Sequence, residues 1–209
     1  MTAVLLALAV AATGCQSDES GAGSPSAQRT EGKSCGELLD TQTKAAMRRL
    51  ADVSASAKTE YSGHPQRVAD QLATQYLTGK TDSRWSYFCG AYVGSSGLDS
   101  VKVQFSLTRE LPPKESTTSD WKYYRLGKRT HIGRKAGFLY FDCSSAKFGG
   151  TTQLVSGEVR SSRDVTESLA SAHEDNLRVL HNSGRALSAL LKCRAGSGIT
   201  GSFTMPPAV

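Results

Sequence analysis

The chain has 209 residues, a formal net charge of +6 and five cysteines. That length suits one domain of ordinary size with a short extension, and no internal repeat divides it. The charge is modest, and an odd cysteine count asks for an explanation.

The first segment supplies one. Residues 3–12 are uninterrupted apolar residues. About ten is the length of a signal-peptide core and far too short to span a bilayer of ~30 Å. The run meets Ala12-Thr13-Gly14-Cys15, which resembles the lipobox of bacterial lipoproteins. The resemblance implies diacylglycerol on the Cys15 thiol and cleavage just before it. Residues 1–14 are then a signal peptide, and Cys15 is the lipidated residue that holds the mature chain to the membrane. Plain secretion, with cleavage after Ala11, is the other reading. Lipidating Cys15 leaves four cysteines, an even set suited to disulfides in an exported protein. Residues 15–34 are rich in Ser and Gly and carry no large apolar residue. Such a segment cannot bury enough surface to offset its ordering entropy, so it reads as a tether spanning on the order of 25 Å.

Residues 35–209 form the domain, with 23 basic and 16 acidic side chains. Outside a membrane this excess favours anionic surfaces: anionic lipid, wall polymer or an acidic envelope protein. Export disfavours nucleic acid. A helix is predicted over Thr41–Val53, capped by Asp40, and a second from Pro65 to a stop at Gly79. Trp85–Val93 reads as a strand. Val101, Val103, Phe105 and Leu107 alternate with polar residues, the mark of a half-buried strand. Trp121–Leu126, Gly137–Cys143 and Thr151–Arg160 read as further strands, with turns at Ser95–Gly97 and Phe148–Gly150. Asp164 with Glu167 predicts a capped start to a long helix reaching Cys193, one helix or two joined near Gly184. Ile199–Met205 reads as a closing strand. The order predicts an α+β fold: an antiparallel sheet of five to six strands, with N-terminal helices and a long C-terminal helix on one face.

Four cysteines allow three pairings. Cys35–Cys89 with Cys143–Cys193 is the favoured one, each closing a loop of about 50 residues. Cys35-Gly-Glu-Leu-Leu39, Cys89, Ile132-Gly-Arg-Lys-Ala136 before Cys143, and Cys193 occur in an order that is similar to a family of actinobacterial lipoproteins of unknown function. Some members have a PsbP-like α+β fold. The resemblance implies a fold and a location and no activity.

Motifs for catalysis are weak. Gly196-Ser-Gly198-Ile-Thr-Gly201 matches a dinucleotide fingerprint by letter but follows a helix instead of opening one. Gly79-Lys-Thr81 lacks the first P-loop glycine, with Thr74 in its place. No cofactor and no metal is expected: the cysteines lack Cys-x-x-Cys spacing, and His173-Glu174-Asp175 reads as a solvated helix face. No catalytic residue is assigned. The alternative is an envelope hydrolase whose Ser, His and acid come together from distant positions, with His131 or His173 as base. One stretch stands out, Trp121–Lys135. It carries Lys122, Arg125, Lys128, Arg129, Arg134 and Lys135 among aromatics, which suits an anionic surface. The competing reading is a hairpin with a solvated outer face. The expected function is a non-catalytic surface lipoprotein with a binding or structural role.

Overall fold

The computed structural model describes residues 32–54, 56–79, 84–93, 99–114, 120–194, 197–199 and 201–209. Cys15, the expected signal peptide, most of the expected tether and the expected Ser95–Gly97 turn lie outside the described residues, as do parts of the two glycine motifs.

The first helices follow their caps. In α1 (Cys35–Leu38) Glu37 accepts hydrogen bonds from the N–H and the hydroxyl of Ser34, both at 2.7 Å. In α2 (Thr41–Leu50) the Asp40 carboxylate accepts from the Thr43 N–H at 2.7 Å. A short strand unforeseen in the sequence follows, β1 (Thr59–Ser62), and then α3 (Pro65–Leu77), with Pro65 in its first turn. The remaining elements are β2 (Ser86–Val93), β3 (Val101–Thr108), β4 (Lys122–Tyr124), β5 (Arg129–Ile132), β6 (Ala136–Ser144), β7 (Thr152–Ser161) and α4 (Leu169–Leu191).

The strands make one antiparallel sheet in the order β1-β2-β3-β7-β6-β5-β4. Among the described residues it has seven strands instead of five or six, because β1 and β5 add themselves and no closing strand forms there. Ile199 is buried and Phe203 partly so, but the last residues meet the sheet through a single bridge, Ala208 to Tyr124. The core lies on one face. Val103, Phe105, Leu139, Phe141, Val155 and Val159 are fully buried there, beneath Val68 and Leu72 of α3 and Leu177, Leu180 and Leu187 of α4.

The long helix departs from its predicted start. Ser168 caps it, its hydroxyl accepting the Ser171 N–H at 3.2 Å. Asp164 instead pairs with Lys135 at 2.7 Å, and Val165 is buried before the helix begins. The helix then runs unbroken through Gly184. A Cβ there would sit 3.0 Å from Leu139 and 3.2 Å from Ile199, so the glycine permits a close approach to the sheet. The polar residues of α4 correct a second expectation. His173 and Asp175 are buried, not solvated, because the helix is covered on both sides at this point: His173 lies against Tyr124 of β4, and Asp175 faces α2. Arg49 of α2 grips Asp175 through Nε (2.8 Å) and its terminal nitrogen (2.6 Å). Asn182 donates to Asp40 (3.2 Å) and Thr43. Of the His173-Glu174-Asp175 run only Glu174 is exposed, as the i,i+4 partner of Arg178.

Both disulfides are present in the favoured pairing. Cys35–Cys89 ties α1 to β2, and Cys143–Cys193 ties the end of β6 to the exit of α4.

Candidate anion-facing surface

The basic stretch folds as the β4–β5 hairpin and its turn into β6. Alternation sends Tyr124, Thr130 and Ile132 into the core, while Tyr123 and His131 face away from the helices. The β4–β5 turn passes through Gly127 at φ 61°, where a Cβ would meet the Tyr140 carbonyl oxygen at 2.6 Å; only glycine suits both demands.

The structure splits the six cations between the two ends of this hairpin. Arg125, Lys128 and Arg129 sit at its turn, and Lys122, Arg134 and Lys135 at the far end, where Lys122 faces Ile132. Their partners differ in kind. Lys128 pairs with Asp142 at 2.9 Å and Lys135 with Asp164. Arg129 donates to the carbonyl of Pro112, and Arg134 donates to the carbonyl of Glu167 at 2.7 Å. Lys122 and Arg125 are exposed, and neither has an ion pair among the described residues. A carbonyl orients a guanidinium without cancelling its charge. Four of the six, Lys122, Arg125, Arg129 and Arg134, therefore lack a carboxylate partner among the described residues. Sequence reasoning missed a seventh cation: the Lys114 ammonium lies 5.5 Å over the Tyr123 ring, brought there by the segment that leaves β3.

The sheet face away from the helices gathers aromatic rings beside these cations. His131 stacks on Phe138 (4.9 Å, 20°) and lies near Tyr140 (6.3 Å, 11°), with Trp121 stacked on Phe138 at 6.1 Å and Tyr123 tilted at 5.5 Å from His131. The pairs of His131 with Phe138, Tyr140 and Tyr123 are cross-strand ring pairs, which stabilise a sheet by roughly 0.2–1 kcal/mol each. At one end of the same face an open groove of about 590 Å³ runs between Arg109–Leu111 and Thr152–Leu154, with Lys128 and Asp142 at its side. Its charged residues, Arg109, Glu110, Lys128 and Asp142, are balanced in sign.

The other histidine proposed as a base is engaged. His173 is buried, with Nδ1 2.8 Å from the Tyr124 hydroxyl and Nε2 2.9 Å from the Asp120 carbonyl oxygen. A carbonyl only accepts, so Nε2 carries the proton and Tyr124 donates to Nδ1. Burial is the main cause that lowers the His173 pKa, and Lys122 and Arg134 lower it further. The neutral ring is thus favoured in the fold. Above the unfolded value of about 6.5 its contribution to stability is complete, and it is lost as pH falls through the lowered folded value. Urea midpoints measured across this range are expected to fall more steeply with acidification in the wild type than in His173→Gln. Parallel pH profiles would show that His173 makes no such contribution.

Among the described residues no cluster of three or more His, Cys, Asp or Glu side chains is arranged to hold a metal ion. No described helix is long and apolar enough to cross a membrane. No known protein family, no curated protein and no solved structure matches the chain.

Proposed function

We propose that this chain is a non-catalytic domain tethered through Cys15 to the outer face of a bacterial cell membrane, and that its β4–β5 edge binds an anionic partner in the envelope. The observation that carries the binding half is the set of four cations on the β4–β5 hairpin and the turn that follows it, without carboxylate partners among the described residues. The location rests on the apolar run that ends at Cys15 and on the cysteine count. Both disulfides use the other four cysteines, which leaves Cys15 as the odd one, and disulfides persist where the compartment is oxidising. The resemblance to actinobacterial lipoproteins agrees with this location. The hydrolase reading draws no support from His173, whose two nitrogens are committed to Tyr124 and the Asp120 carbonyl.

The test uses the two cations that hold nothing in place. Reversing Lys128, Arg129, Arg134 or Lys135 would break ion pairs or loop contacts along with the surface charge, so Lys122→Glu with Arg125→Glu is the informative variant. The mature chain with Cys15→Ser is mixed with phosphatidylglycerol vesicles, phosphatidylcholine vesicles and poly-glutamate. Binding to at least one anionic probe is expected, weakening with salt, with little binding to the neutral vesicles. Each basic residue near an anionic surface is worth about 1 kcal/mol, so the double variant should lose roughly thirtyfold or more in affinity. Equal binding of wild type and variant would end the proposal, as would no binding to either anionic probe.

A further inference from the structure

The same edge is closed by the chain's own C-terminal residues. Tyr124 bridges Ala208; the Arg125 N–H donates to the Pro207 carbonyl at 3.1 Å, and the Val209 N–H donates to the Tyr123 carbonyl at 3.0 Å. Upstream, Phe203 is clamped on α4, its ring 4.4 Å from the Arg178 guanidinium and 5.6 Å from the His181 ring. Between clamp and bridge, Thr204 and Met205 are exposed, and Val209 is 64% exposed. The strap is therefore held on β4 by two backbone hydrogen bonds and little buried surface. Such bonds contribute only modestly net of water. An edge strand whose backbone groups are covered so lightly is a template for another extended chain.

We propose that the β4 edge is a strand-addition site for an acidic extended segment of an envelope polypeptide, and that residues 204–209 occupy it until that segment displaces them. This rests on the reading that the edge binds an anionic partner, and it names the partner's class and its mode. In strand addition the main-chain bonds supply affinity and the side chains supply specificity. Here the incoming carbonyl would take the Arg125 N–H, and an incoming N–H would reach the Tyr123 carbonyl, replacing Pro207 and Val209. The specificity follows from charge. Lys122 lies on the edge strand, Arg125 directly follows it, and Lys114 lies over Tyr123, so a neighbouring strand bearing Glu or Asp is favoured. A second copy of β4 would set like charges side by side and is disfavoured.

The experiment measures a labelled peptide alternating Glu and Val, and a counterpart of equal charge whose alternate backbone nitrogens are methylated, by anisotropy on the mature chain. The unmethylated peptide is expected to bind, and the methylated one to bind at least tenfold more weakly, because it cannot donate to Tyr123. Val209→Pro removes one strap hydrogen bond at an exposed residue and is expected to tighten the peptide by roughly fivefold. Phe203→Ala, which loosens the clamp, should act in the same direction. Equal binding of the two peptides would overturn strand addition, while the anionic reading would stand if Lys122→Glu with Arg125→Glu still weakened both. Unchanged affinity in both strap variants would overturn displacement. No binding of either peptide overturns the inference, and the vesicle and poly-glutamate arms then decide the anionic reading separately.

Discussion

Replacing Cys143 and Cys193 together by serine is expected to lower stability by about 4 kcal/mol. The bond closes a loop with a sequence separation of 50 residues, and on the chain-entropy argument a loop of that size restricts the unfolded chain by about that amount. For a domain of this length the melting temperature should drop on the order of 10 °C. The native side should suffer only local loosening. The Arg194 N–H still donates to the Ser144 carbonyl at 2.8 Å, and the Ser145 hydroxyl to the Leu191 carbonyl, so the end of α4 stays beside β6. Calorimetry of the oxidised wild type and the double variant measures the difference. Coincident transitions would show that the bond contributes nothing to stability.

The second large effect lies between α2 and α4. Arg49→Leu is expected to destabilise by about 3 kcal/mol, near the lower end of what an uncompensated buried charge costs. The Asp175 side chain is 4% exposed while that of Arg49 is 44% exposed. Removing the arginine leaves a carboxylate with little access to water, although the solvent that reaches Arg49 moderates the loss. The pair itself is a weak net contributor, so Arg49→Leu with Asp175→Leu should recover most of the loss. Urea unfolding of the wild type, the single variant and the double variant forms the test. A single variant as stable as the wild type would mean that Asp175 finds another partner or water.

Much of the architecture could be read from the chain because it is written in local chemistry. The alternation of Val101 to Leu107 marks a strand with one buried face, and the structure buries those four residues. Asp40 and Pro65 mark helix starts because they answer needs of the first turn. The elements missed are those without a periodic signature. Thr59–Ser62 is an edge strand of four residues, none fully buried, with no apolar alternation, and its partner in β2 lies some thirty residues on. Arg129–Ile132 lies inside the basic run Trp121–Lys135, for which a hairpin is one of two sequence readings but whose second strand no alternation delimits. His173 and Asp175 were misjudged for a related reason. A hydrophobic stripe reports one packed face, and α4 is packed on two, by the sheet and by α2.

The candidate site divides in the same way. The concentration of cations and rings in Trp121–Lys135 is visible in composition. Which charges are neutralised depends on residues elsewhere in the chain: Asp142 and Asp164 pair with Lys128 and Lys135, whereas the carbonyls of Pro112 and Glu167 hold Arg129 and Arg134 without cancelling their charge. The cover over β4 is likewise supplied by Pro207 and Val209, more than eighty residues from the strand they close.

By itself the sequence determined the order of the main elements, the α+β class and an odd number of cysteines, because these follow from periodicity, turn chemistry and counting. The tertiary structure alone decided which cysteines pair, which polar residues are buried and which cations keep their charge. Those outcomes depend on where distant segments meet, and a one-dimensional pattern does not encode that proximity.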